Sequence, residues 1–115
     1  MRVRVWATPQ AAAHLRQIAT WWGRNRPAAR NMFLDEFESA VSLLSEMPDI
    51  GRRYRRASVP GLRRWLLSRS RYHVYYVHDE VAAEVIILAI WSAVRGRPPY
   101  IIVPPRTNTD PLNST

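Results

Sequence analysis

The sequence contains no cysteine and no lysine. Without cysteine, neither a disulfide framework nor a thiolate metal site can form. No run of about 18 apolar residues is present, so we expect no membrane-spanning helix. The short run after Met1 alternates arginine with valine, and we expect no signal peptide there. A cytoplasmic location is compatible with these absences and is our expectation.

The positive charge is carried by arginine alone. All 17 basic residues are arginines, and the formal net charge is +8. Arginine pairs bidentately with phosphate and carboxylate groups. Such a charge on a small domain indicates an anionic partner: nucleic acid, a membrane surface or an acidic protein. The alternative is that the charge only maintains solubility, but the arginines are unevenly spread.

The first half of the chain predicts one strand and two helices. Arg2–Trp6 alternates arginine and valine, as a strand exposed on one face does. Thr8 and Pro9 are typical of a helix start, with Thr8 as N-cap. Pro27 opens a second helix, which Pro48 closes. Because few residues separate the helices, we expect an antiparallel αα-hairpin.

The second half predicts a three-stranded antiparallel meander. The candidate strands are Leu62–Ser68, Arg71–Asp79 and Glu84–Trp91, joined by short turns. The last is almost entirely apolar, which is typical of a strand buried on both faces, and we place it centrally. The fold class is therefore α+β, an antiparallel sheet with the helices packed on one face.

Residues 1–99 are predicted to form one domain, and residues 100–115 a proline-rich tail that is partly disordered. Within this tail, Tyr100–Val103 could pair as a short edge strand or dock on a partner.

An arginine run without any acidic residue precedes and enters the meander. It consists of Arg52, Arg53, Arg55, Arg56, Arg63, Arg64, Arg69 and Arg71, with Tyr54, Trp65 and Tyr72 among them. Arginines with interleaved aromatic residues are typical of single-stranded nucleic-acid sites. A solvated loop that pairs with carboxylates of a partner protein is an equal alternative. Since neighbours on a strand point to opposite faces, only one of Arg63 and Arg64 can join a given site.

A second basic group follows the last strand. Arg95 and Arg97 could grip a phosphate, and Tyr100 could act as an acid or base. The alternative is a basic strand exit without a site.

Two histidines are the remaining candidates for site residues. His73 is the best general-base candidate, although a structural role is the simpler interpretation. His14 is interpreted as a surface residue. No metal-ligand or nucleophile-triad spacing occurs, so we expect no metal site and no cofactor.

The order of these elements resembles the ParE/RelE toxins of bacterial type II toxin–antitoxin systems. The helical run 11–51 is similar to that family's helix hairpin, which ends in a leucine, a proline and a glycine. GLRRWLLSRSRYHVYYVHDE (61–80) resembles the family pattern G.R.l…..Y.i.Y.vd, and EVIILAIWSAVRGRPP (84–99) resembles the family's last strand. The resemblance spans residues 3–99 and implies the fold predicted above.

The resemblance implies two alternative activities. RelE-like members cleave ribosome-bound messenger RNA, whereas ParE-like members poison DNA gyrase without nuclease residues. By position, Arg63 or Arg64 and Arg95 match family arginines. The chain lacks the lysines of RelE-like nucleases, and Tyr100 is about one residue out of register. If the chain were a nuclease, the candidates would be Arg63, Arg64, His73, Arg95 and Tyr100, but these departures favour the ParE-like branch.

The resemblance also implies a cognate acidic antitoxin. Its C-terminal segment would wrap the toxin and cover the sheet. The residues expected to bind the target or the antitoxin are Arg52, Arg53, Arg55, Arg56, Arg63, Arg64, Arg95 and Arg97.

Overall fold

The computed structural model describes residues 2–56 and 58–104. Its elements are β1 (Arg4–Ala7), α1 (Pro9–Asn25), a 3₁₀ turn (Pro27–Ala29), α2 (Met32–Glu46), β2 (Arg52–Arg53), β3 (Arg63–Leu67), β4 (Tyr72–Asp79) and β5 (Glu84–Ser92). The predicted α+β class is confirmed. Among the described residues, no helix has the length and apolarity needed to cross a membrane.

The five strands form one sheet in the order β1-β5-β4-β3-β2. The antiparallel meander of β3, β4 and β5 is confirmed. The sheet as a whole is mixed, because β1 pairs parallel to β5. The expectation of a purely antiparallel sheet was therefore wrong for β1. No short turn joins β1 to its neighbour, so its direction is set by the helical connection and not by a hairpin.

The helix hairpin begins as predicted but its second helix starts later. The Thr8 side chain accepts a hydrogen bond from the Ala11 amide, and Pro9 occupies the first helical turn. Pro27 opens only the short 3₁₀ turn, and α2 begins at Met32. Proline presets a backbone angle that suits the first turn of either helix type, so it did not distinguish them.

The helix-facing side of the sheet carries the larger core. From the strands come Leu67, Val74, Tyr76, Val85, Ile87 and Ile90, and from the helices Ala11, Trp22, Phe33, Phe37, Ala40 and Leu44. Within β4, Tyr72, Val74 and Tyr76 share this face, as the predicted alternation required.

The opposite face carries a second, smaller core. Its buried residues are Val59, Leu62, Tyr75, Leu88, Ala89 and Ile101. The register between β4 and β5 shifts between Tyr75 and Tyr76, so Leu88 and Ala89 both belong to this core. Strand β5, between β1 and β4, is therefore buried on both faces as predicted, although β4 and not β5 is the middle strand.

Residues 100–103 form no strand, and Ile101 instead packs on its own chain. The tail that we predicted to be partly disordered comprises residues 100–115. Of these, residues 105–115 lie outside the described residues.

Tyr76 fixes the loop that follows α2 to the sheet. Its hydroxyl donates to the Pro48 carbonyl (2.7 Å) and accepts from the Gly51 amide (2.8 Å). A Cβ at position 51 would lie 2.6 Å from this hydroxyl oxygen, so the close approach requires glycine. Burial raises the pKa of Tyr76, which keeps the phenol protonated as the donor.

Tyr76→Phe should lower the free energy of unfolding by about 1–3 kcal/mol, because it leaves a buried amide and carbonyl without their partner. Denaturant unfolding checks this value. Tyr100→Phe is the matched control, since Tyr100 is 82% exposed, and it should change stability by less than about 0.5 kcal/mol. Equal effects of the two variants would contradict the assigned role of Tyr76.

Candidate functional site

Strand pairing gathers polar and aromatic side chains on the sheet face opposite the helices. Arg64 on β3 lies opposite Tyr75 on β4, and His73 lies opposite Trp91 on β5. Residues directly opposite each other share a face. An open cleft of about 170 Å³ results, which we call the arginine cleft. It is lined by Tyr54, Arg64, His73, Tyr75, Trp91, Ser92, Ala93, Arg95, Gly96, Arg97 and Pro98.

Arg64 is held on one side of the cleft by two tyrosines. Its guanidinium carbon lies 4.4 Å from the centre of the Tyr54 ring, a cation–π distance. Its Nη1 donates to the Tyr75 hydroxyl at 3.4 Å. The two tyrosine rings meet edge to face at 5.6 Å. The two tyrosines thus hold the Arg64 side chain in place, and its positive charge remains at the cleft.

Arg95 is held in a similar way on the other side. Its guanidinium carbon lies 4.7 Å from the centre of the Trp91 ring. Trp91 Nε1 donates to the Arg97 carbonyl at 3.0 Å, which fixes the turn that carries both arginines. Arg95 and Arg97 are exposed, so their charges are available to a partner.

His73 lies between these two groups. Its ring centre is 5.9 Å from that of Tyr75. Burial lowers the pKa of His73, and the charges of Arg64 and Arg71 lower it further. The imidazole is therefore neutral at pH 7, and a neutral imidazole can accept a proton or a hydrogen bond.

Arg63 belongs to the other face of the sheet. It donates to the Asp49 carbonyl (3.0 Å) and to the Gly51 carbonyl (2.8 Å), and its Nε lies 3.7 Å from an Asp49 carboxylate oxygen. It therefore holds the loop after α2 against the sheet. Of the adjacent pair, Arg64 alone lines the cleft.

The remaining arginines of the run are not gathered in the cleft lining. Arg52 and Arg53 form the exposed strand β2, and only Arg52 shares a face with Arg64. Arg55 is exposed. Arg56 donates to the Pro99 carbonyl at 2.7 Å, and its guanidinium carbon lies 6.0 Å from the Tyr54 ring centre.

Tyr100 also lies outside the cleft lining, and its side chain is 82% exposed. Its backbone carbonyl accepts a hydrogen bond from the Gln10 side chain. The structure thus brings Arg64, His73, Arg95 and Arg97 together and leaves Tyr100 apart.

His14 is half-buried and not the surface residue that we expected. Its Nδ1 accepts a hydrogen bond from the Ile90 amide at 3.1 Å. Pairing with β1 ends at Ile87, so the Ile90 amide would otherwise lie at an unpaired strand edge. Burial lowers the pKa of His14, which keeps Nδ1 free to accept this bond.

Tyr75 and Trp91 were not singled out from the sequence as site residues. The alternation on β4 did place Tyr75 beside His73. Trp91 required the register between β4 and β5, which a single sequence does not reveal.

Asp49, His78 and Glu80 form a group away from the cleft, with ligand-type atoms within 4.8 Å of one another. His78 Nδ1 lies 2.8 Å from an Asp49 carboxylate oxygen. Because tertiary folding joins Asp49 to the other two, no motif spacing marks the group. Our prediction of no metal site rested on such spacing alone.

A family model described as the ParE toxin of type II toxin–antitoxin systems, parDE, matches residues 5–96. The chain belongs to the ParE toxin family. It is a toxin of a type II toxin–antitoxin system, as the resemblance implied. No curated protein sequence matches the chain.

Solved structures share the ParE-like fold at low sequence identity. The chromosomal ParDE system of P. aeruginosa aligns with a TM-score of 0.63 and 23% identity, over 79% of this chain and 96% of that one. The RelBE2 toxin–antitoxin complex of Mycobacterium tuberculosis gives 0.57 and 22%, over 80% and 99%. A mutant of the E. coli toxin RelE in the free state gives 0.55 and 16%, over 82% and 86%. These similarities establish the fold.

Arg63→Ala and Arg64→Ala should separate stability from function. Arg63→Ala should lower the free energy of unfolding by about 1–3 kcal/mol, because it removes hydrogen bonds from a charged donor. Arg64→Ala should cost less, about 1 kcal/mol, because it removes one half-buried cation–π contact and one long hydrogen bond, but it should impair toxicity. Urea unfolding and a growth assay measure the two effects. A reversed order would contradict the assignment of faces.

Stability should fall as the pH drops below 6.5, the ordinary histidine pKa. His14 and His73 have lowered pKa values in the folded state, so the unfolded chain takes up protons first. Their contribution is complete above pH 6.5 and is lost as the pH falls through the folded-state pKa values. Urea unfolding at pH 7.5 and 5.0 tests this.

The double variant His14→Gln/His73→Gln is the control for this pH dependence. It should lose less stability between pH 7.5 and 5.0 than the parent does. An identical loss would show that other groups cause the effect.

Proposed function

We propose that this ParE toxin inhibits growth by poisoning DNA gyrase, as a binding protein and not as an enzyme. The observation that carries the proposal is the ParE family match over residues 5–96, which spans the sheet except for Arg4 and most of the arginine cleft. In this proposal the toxin is cytoplasmic and encounters gyrase and its DNA there.

The chemistry of the cleft supports a binding role. Its lining contains Arg64, Arg95 and Arg97 and no carboxylate. Arg64 and Arg95 each lie over an aromatic ring, so their charges are presented from fixed positions. Preorganised side chains of this kind reduce the entropy lost on binding. The phenol of Tyr100, a candidate acid or base of the nuclease hypothesis, lies on the exposed surface outside this lining.

We also propose a cognate acidic antitoxin as the partner that neutralises the toxin. The similar ParDE and RelBE2 structures come from toxin–antitoxin systems. The net charge of +8 favours an acidic segment as the neutralising ligand. Arg52 and Arg53 on the exposed β2 edge offer it a charged strand.

One observation favours a second candidate, a ribosome-dependent endoribonuclease. His73 is neutral at pH 7 and lies in the cleft with Arg64. A neutral imidazole can take the proton of an attacking 2′-hydroxyl, and arginines can stabilise the charge that develops on the phosphate. The lack of lysine weighs against this candidate.

Expression from a tightly controlled promoter distinguishes the candidates. A gyrase poison should cause filamentation and double-strand breaks, and the purified toxin should inhibit gyrase supercoiling in vitro. Codon-phased messenger RNA cuts with intact gyrase activity would support the nuclease and overturn the first proposal.

Arg95→Ala should reduce toxicity at least about tenfold, equivalent to about 1.4 kcal/mol of binding free energy. The exposed side chain carries little packing, so the melting temperature should stay close to that of the parent. Arg24→Ala removes one exposed charge at the far end of α1 and is the matched control. Full toxicity of Arg95→Ala would place Arg95 outside the site.

A further inference from the structure

Residues 98–103 form a segment without helix or strand that we call the C-terminal strap. It begins after Arg97 and lies beyond the family-matched residues 5–96. Pro99 is fully buried and Ile101 is 8% exposed, while Ile102 is 56% exposed. Ile101 belongs to the second core with Val59, Leu62, Tyr75, Leu88 and Ala89. The strap is thus packed across the same sheet face that carries the arginine cleft.

Gln10 clamps the strap to the first turn of α1. Its side-chain amide donates to the Tyr100 carbonyl, and its Oε1 accepts from the Ile102 amide at 2.7 Å. One glutamine therefore satisfies the backbone groups on both sides of Ile101, much as a neighbouring strand would. The clamp and the buried Ile101 side chain act at the same point of the strap.

Two series of contacts connect the strap to the cleft arginines. In the first, Arg56 donates to the Pro99 carbonyl and also lies 6.0 Å from the Tyr54 ring. The same ring supports Arg64 at 4.4 Å. Pro98 itself lines the cleft.

The second series of contacts begins at Arg97, the residue directly before the strap. The Arg97 carbonyl accepts from Trp91 Nε1, and the Trp91 ring supports Arg95. The strap therefore adjoins the supports of both Arg64 and Arg95.

We propose that the C-terminal strap is a positioning element that holds Arg64 and Arg95 in the orientation their target requires. A long arginine side chain loses up to about 2 kcal/mol of rotamer entropy when it is immobilised. A strap that immobilises the supports before binding removes part of this cost at the moment of binding. The inference rests on the proposed function for its biological consequence, but the positioning itself is a property of the free toxin.

The test compares two strap variants with two matched controls in the full chain. Ile101→Ser removes the buried anchor, and Gln10→Ala removes the clamp but leaves the anchor in place. Ile102→Ser changes the adjacent exposed isoleucine, and Gln17→Ala changes an exposed glutamine of the same helix. Gln10→Ala keeps the test informative if Ile101→Ser fails to fold.

The readout is the NMR signals of the Arg64 and Arg95 side chains in the free protein. Ring currents of Tyr54 and Trp91 shift these signals while the guanidinium groups lie over the rings. Each folded strap variant should move at least one of them toward the value of an unstructured arginine, and the controls should leave both unchanged. A strap that only stabilises the fold would leave the Arg64 and Arg95 signals unchanged. Unchanged signals in folded Gln10→Ala and folded Ile101→Ser would therefore overturn the proposal.

A double-mutant cycle connects the positioning to toxicity. Gln10→Ala should reduce toxicity about three- to tenfold in the parent and have little effect in the Arg64→Ala/Arg95→Ala background. Equal reductions in both backgrounds would show that the strap does not act through these arginines. If gyrase proves not to be the target, the NMR result still decides the positioning, so the two proposals fail separately.

Discussion

Burial of β5 on both faces is the constraint on which the rest of the structure depends. Val85, Ile87 and Ile90 need a cover on one side of the sheet, and Leu88 and Ala89 need one on the other. The helix hairpin supplies the first cover in full. The second is partial: of the residues that the structure describes, Val59 and Leu62 of the loop before β3, Ile101 of the strap and the half-buried Tyr54 supply it. The part of this face left open is where the arginine cleft lies.

The strand period of two separates support from function within this arrangement. Arg63 points to the helix side and holds the loop after α2 through backbone carbonyls. Arg64, its neighbour, points to the open side and lies on the Tyr54 ring. Two identical residues thus have different roles because successive strand side chains alternate between faces. The same alternation joins His73 and Tyr75 to the cleft and leaves Val74 and Tyr76 in the core.

Aromatic rings support the charged side chains of the cleft. Arg64 lies on Tyr54 and Arg95 lies on Trp91, so an aromatic ring holds each cation, and no carboxylate within residues 2–56 and 58–104 forms an ion pair with either. A carboxylate would hold an arginine as well, but it would neutralise the charge that an anionic target or antitoxin must meet. This arrangement explains how a domain of net charge +8 can present ordered arginines and still leave them available.

By itself, the sequence determined the α+β class, the start of α1, the meander and the two faces of β4, because these follow from local periodicity and capping. It also narrowed the site to one of Arg63 and Arg64. Only the tertiary structure decided the parallel pairing of β1, the place of Trp91 opposite His73, the bond from the Ile90 amide to His14, and the docking of Ile101 under the Gln10 clamp. Each of these contacts joins residues distant in the chain or depends on strand register, and no local pattern in one sequence encodes either.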